Sequence, residues 1–138
     1  MTSPTNTASS HSSLRLFRFL ATVQGLYYLV TGIWPLVHLR SFEAVSGPKR
    51  DDWLVKTVGV LIAVVGAVLL LAAARRRASF ELSLLAAGSA AGLTGIDLVY
   101  VARGTIPPVY LLDALGEIGL LAGWALQMKS SVSGATPR

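Results

Sequence analysis

The run TVGVLIAVVGAVLLLAAA, residues 57–74, decides the fold class. It holds no formal charge and stops on Arg75, Arg76 and Arg77. A helix that crosses a bilayer needs about 20 predominantly apolar residues. Trp53, Leu54 and Val55 extend the run backward to that length. The alternation that marks a membrane β-strand is missing. The stretch therefore reads as a transmembrane helix, and its neighbours repeat the pattern. Residues 19–39 carry no formal charge with His38 neutral, residues 82–102 carry only Asp97, and residues 109–128 carry only Asp113 and Glu117.

The expected fold is all-α, a four-helix transmembrane bundle running up-down-up-down with short loops. Its spans are about 19–39, 54–74, 82–102 and 109–128. A single membrane domain, residues 14–129, lies between a Ser/Thr-rich tail at 1–13 and a polar tail at 130–138, both expected to be flexible. Residues 40–52 read as a connector, because Gly47-Pro48 and mixed charge interrupt the apolar pattern. Pro107 and Pro108 suit the start of the fourth helix, where a missing N–H does no harm. Ala44-Val45-Ser46 has the look of a signal-peptidase site. The apolar run before it exceeds the roughly 7–15 residues of a cleaved signal, so the first span is expected to be retained.

Composition agrees. Of 138 residues, 53% are hydrophobic and 14% charged, against about 25% charged in soluble domains. The mean hydropathy is +0.60. With no cysteine there is no disulfide framework, thiolate zinc site or iron–sulfur cluster. His11 and His38 alone suggest no metal site, and no cofactor is expected. A net charge of +5 would fit a polyanion partner, but the basic residues flank apolar runs and no nucleic-acid motif accompanies them. They read as orientation signals instead. Arg15, Arg18, Arg75, Arg76, Arg77, Lys129 and Arg138 share one side, and Arg40, Lys49, Arg50, Lys56 and Arg103 the other. Seven against five places both termini in the cytoplasm, in a membrane expected to be a bacterial plasma membrane.

Three acids inside spans are the chemical anomaly. Each is charged about 2.5–3.5 kcal/mol at a helix centre on the insertion scale, and the fourth span's apolar side chains return about 4 kcal/mol in sum. Two acids therefore keep that span from inserting easily alone, and it is expected to enter as a hairpin with the third. Asp113 and Glu117, four apart, share a helix face. Counting 1.5 Å per residue puts Asp97 and Asp113 at similar depth in the half of the bundle away from the termini. The first span offers a polar stripe of Gln24, Tyr27, Tyr28, Thr31, Pro35 and His38. Small residues recur every four positions at Gly59, Ala63 and Ala67 and at Ala87, Ala91 and Gly95, a packing pattern.

These residues define one candidate site, a polar pocket in the outer half of the bundle. Asp97, Asp113, Glu117, Tyr28, His38, Lys56 and Tyr100 are expected around it, with Gln24 deeper and Arg103 covering it from the loop. Such a constellation can bind a small lipophilic or protonatable ligand, which is the preferred, non-enzymatic reading. Two alternatives stand beside it: a membrane enzyme using Glu117 or Asp113 as general acid/base on a lipid, and an accessory subunit whose acids merely tie helices together. The lipid bilayer is the expected partner, and a homo-oligomer through Gly/Ala faces is a further expectation.

Two stretches, GLYYLVTGIWPLVHLRSFEAVSGPKRDDWLVKTVG (25–59) and IDLVYVARGTIPPVYLLDALGE (96–117), resemble small bacterial four-span integral membrane proteins of uncharacterised function. The resemblance implies the four-span fold and carries over no site residues.

Overall fold

A computed structural model describes residues 4–133. It contains α1 (Pro4–Val37), α2 (Leu39–Ser46), α3 (Asp52–Ala74), α4 (Phe80–Ala102) and α5 (Tyr110–Ser133). Four of these are long and apolar enough to cross a membrane: α1, α3, α4 and α5. The chain is thus an all-α, multi-span membrane protein with short connections. Large apolar side chains such as Phe19, Val30, Leu61, Leu84, Leu112 and Leu126 point outward, where hydrocarbon rather than water receives them. The helical backbone of α1 begins within the stretch read as an N-terminal tail. Of the two expected tails, residues 1–3 and 134–138 lie outside the described residues.

Helix ends follow local chemistry. α3 stops in a Schellman turn, in which the Arg76 N–H donates to the Ala73 carbonyl and the Arg77 N–H to the Ala72 carbonyl. Arg76 takes the left-handed conformation, φ 53°, that this turn requires. The basic triplet, expected from the sequence to be an orientation signal, is also a helix stop. Ser79 caps α4 by accepting from the Leu82 N–H at 3.3 Å. The same C-terminal turn ends α4, with Gly104 at φ 67° and Thr105 N–H donating to the Tyr100 carbonyl. Pro107 and Pro108 sit in the turn just before α5. Their carbonyls accept from Tyr110 and Leu111 N–H, so they lead into the helix rather than occupy it.

Two tight helix pairs make the bundle. α1 packs most extensively on α3, and α4 on α5; the pairs meet chiefly through α1 and α5, while α3 and α4 barely touch. The α1–α3 seam is glycine on glycine. A Cβ on Gly32 would lie 2.5 Å from the Gly59 carbonyl oxygen, and one on Gly66 would lie 2.7 Å from that of Gly25. Each helix thus presents two glycines seven residues apart, and the backbones touch. Gly59 and Ala63 take part in this seam, as their spacing suggests, whereas Ala67 is exposed. Gly92, Gly95, Gly116 and Gly119 have open space where a Cβ would point.

The half of the bundle nearer the termini is sealed. Phe17, Leu20, Ala21, Leu69, Ala72, Ala73, Ala86, Ala87 and Trp124 form its core. The Phe17 and Trp124 rings meet edge to face at 5.5 Å. Arg18 reaches across this end, its Nε donating to the Ala73 carbonyl at 3.2 Å. The Ala73 carbonyl, which also accepts the Arg76 N–H in the turn, thus uses a second lone pair at the end of α3.

One element departs from the sequence expectation. Residues 40–46 of the expected connector belong to the helix α2, which begins at Leu39. His38 begins it by accepting the Ser41 N–H on Nδ1 at 3.2 Å. Pro35 lies within the last turn of α1, and the chain leaves that helix at Val37. Trp34 stacks edge to face on Phe42 at 5.7 Å and donates through Nε1 to Ser41 Oγ at 2.8 Å. These contacts fold α2 back against the end of α1.

Candidate functional site

Between the two helix pairs, in the half away from the termini, lies a cavity of about 550 Å³. Each element contributes because of where its polar or small residues fall. α1 supplies Tyr28 and Thr31 from its polar stripe, and α3 supplies Val58, Gly59 and Ile62. α4 supplies Leu93, Ile96 and Asp97, and α5 supplies Tyr110, Asp113 and Glu117. The walls are mainly aliphatic and aromatic; the three carboxylates lie on the α4 and α5 side, and Thr31, Ser46 and Lys49 are further polar side chains on the wall.

Glu117 is fully buried and Asp97 is 4% exposed; Asp113 is half-buried. Tyr28 donates from Oη to Glu117 Oε2 at 3.0 Å, a bond from α1 to α5. Among the described residues, Glu117 Oε1 and Asp97 Oδ2 are buried without a hydrogen-bond partner. Most buried polar atoms are paired, since an unpaired one forfeits its hydration, so two such carboxylate oxygens in one cavity stand out.

Gln24 lies one turn below Tyr28, outside the cavity lining, and is fully buried. Its Nε2 donates to the Ala86 carbonyl at 2.9 Å, and its Oε1 accepts from Trp124 Nε1 at 2.6 Å. One side chain thereby links α1, α4 and α5. A second rung lies nearer the termini, where Ser83 Oγ donates to Gln127 Oε1 at 3.1 Å. Interior polar groups paired across helices in this way act as specific links in a membrane bundle.

Of the nine residues expected around the pocket, the structure brings Tyr28, Asp97, Asp113 and Glu117 together on the cavity wall. His38, Lys56, Tyr100 and Arg103 lie off it. His38 is the cap of α2 and Lys56 is exposed on α3. Arg103 stacks over the Tyr100 ring at 5.9 Å. The basic residue that does line the cavity is Lys49. Its ammonium group donates to the Ser46 carbonyl at 2.8 Å and lies 4.9 Å from the centre of the Tyr110 ring. Its backbone N–H donates to Glu43 Oε1 at 3.0 Å. Phe42, Ser46 and Lys49 lie in the stretch whose pattern reads as a connector, and Tyr110 at the start of the fourth span, so none is among the expected pocket residues. The signal was present in Leu39, Phe42, Val45 and Ser46, spaced by three and one along one side of a short helix.

No group of three or more His, Cys, Asp or Glu side chains suited to a metal ion occurs among the described residues. The arrangement is suited to accept hydrogen bonds or hold a cation at one end of an apolar chamber. No family model matches the chain, and neither the curated proteins nor the solved structures contain a detectable match to it.

Proposed function

We propose that this membrane protein binds a small lipophilic or protonatable ligand in the outer half of its bundle, with Glu117, Asp97, Asp113 and Tyr28 as the polar contacts. One observation carries the reading: two buried carboxylates, each with an unpartnered oxygen, border a chamber with mainly apolar walls. Its volume falls within the roughly 300–1,000 Å³ typical of small-molecule sites. Turned toward the chamber, those carboxylates would accept from a protonated amine or a hydroxyl, whose hydrocarbon part would meet the aliphatic wall.

Thermal unfolding of the detergent-solubilised protein tests this. A lipophilic tertiary amine at about 100 times its Kd stabilises the folded state by about 2.7 kcal/mol if it binds only that state. The wild type is expected to gain Tm with the amine and not with the neutral carbon isostere. Glu117→Gln and Asp97→Asn are expected to fold and to lose that gain. Undiminished stabilisation in both variants would overturn the reading. The Tyr28–Glu117 bond favours a second reading, a purely structural tie between α1 and α5. Under it, the amine leaves the wild-type Tm unchanged and Glu117→Gln lowers it.

The same proposal places both termini in the cytoplasm and the cavity in the opposite leaflet. Arg75, Arg76 and Arg77, adjoining two spans, support that orientation. A reporter fused to the C-terminus is expected to be active only if it works inside the cell. Surface labelling of that fusion in intact cells would reverse the orientation.

A further inference from the structure

The cavity is partly roofed on its aqueous side. α2 contributes Phe42, Val45 and Ser46 to its lining and is held to α1 by the Trp34 contacts. Beyond α2, Gly47 packs so closely on Pro107 that a Cβ there would lie 2.8 Å from Pro107 Cγ. Lys49 then reaches over Tyr110 at the start of α5. The end toward the termini is closed by the aromatic core around Phe17 and Trp124.

The remaining side lies between α3 and α4, the two spans that barely touch. Val58 and Ile96 line the cavity and are 43% and 55% exposed, as Leu54 and Val45 nearer its aqueous end are, at 47% and 54%. Residues that face the chamber and the exterior together mark its rim. Val58 is six residues into α3 and Ile96 six before the end of α4. Both therefore lie about 9 Å inward from the helix ends at 1.5 Å per residue. At that depth the exterior is hydrocarbon. Ile62 and Leu93 continue the two sides of the opening further inward.

We infer that the chamber fills from the bilayer, through a lateral mouth between α3 and α4, with a single-chain lipophilic amine. Its ammonium group lies against Asp97, Asp113 and Glu117, and its tail leaves between Val58 and Ile96. This rests on the binding reading above and adds the route and the ligand class. Charge selects the head: three carboxylates line the chamber, and among the described residues the only basic one on its wall, Lys49, belongs to the roof. Position selects the tail, because a chain leaving the acids through this mouth passes directly into hydrocarbon.

The chain has no cysteine, so a Val58→Cys/Ile96→Cys pair can be joined selectively by a bismaleimide across the mouth. The probe is radiolabelled dodecylamine, with the protein in phosphatidylcholine nanodiscs. Linking before loading is expected to slow uptake about tenfold or more, and linking after loading to slow release equally, as closing a lid does. Unlinked Glu117→Gln, or Asp97→Asn if the first does not fold, loses retention with the mouth open. If the linked protein takes up and releases dodecylamine at the unlinked rate while Glu117→Gln still abolishes retention, the lateral route is overturned and the pocket stands. If the wild type does not retain dodecylamine above empty nanodiscs, the amine assignment falls together with the pocket.

Discussion

Trp124→Ala is expected to destabilise the bundle by about 3 kcal/mol or more, measured as the loss of Tm and of resistance to denaturing detergent. Trp124 is fully buried and sits edge to face on Phe17 at the centre of the sealed half. Truncating a buried Trp costs about 3–5 kcal/mol through the void it leaves. In a bilayer the loss is one of packing, since hydrocarbon surrounds the helices in both associated and separated states. A second effect adds to it. The indole N–H is the donor to Gln24 Oε1, and without it a buried amide oxygen loses its partner, at about 1–3 kcal/mol. Trp124→Phe separates the two effects. It retains most of the ring contact and loses the hydrogen bond, so it is expected to fall between the wild type and the alanine variant. Equal Tm for wild type and Trp124→Ala would contradict this account of the core.

Gly66→Leu is expected to disrupt the α1–α3 seam, with a loss of at least the roughly 1–3 kcal/mol typical of overpacking. A Cβ at this position meets the Leu29 amide nitrogen at 2.6 Å and the Gly25 carbonyl oxygen at 2.7 Å. Both obstacles are backbone, so no rotamer change relieves them and the helices must part. Gly116→Leu is the matched control, because a side chain there enters open space. It is expected to leave Tm within about 0.5 kcal/mol of wild type, as surface substitutions usually do. Similar losses for the two variants would show that the seam is looser than its distances imply.

The contrast between these glycines shows where sequence information ends. Gly59 and Gly119 look alike in the primary structure, each in an apolar helical run. Gly59 supports backbone contact, and Gly119 faces the exterior. Helical spacing places residues on a common face but does not say which face meets which helix. The functional residues divide the same way. Asp113 and Glu117 share a side because they are four apart on one helix. The sequence points to Lys56 at the start of the second span, and the chamber takes Lys49 from the connector instead because α2 folds back over it.

Span number, helical class and the presence of three carboxylates in the membrane domain follow from the sequence by itself. Apolar length against bilayer thickness and the rarity of charge within such runs are local quantities, legible residue by residue. The tertiary structure alone decided that α1 pairs with α3, that Tyr28 bonds to Glu117, and that α3 and α4 stand apart beside the cavity. Those outcomes depend on which backbones can approach closely and on which buried polar atoms find partners across helices. Both are properties of packing between distant segments, and no single stretch of sequence contains them.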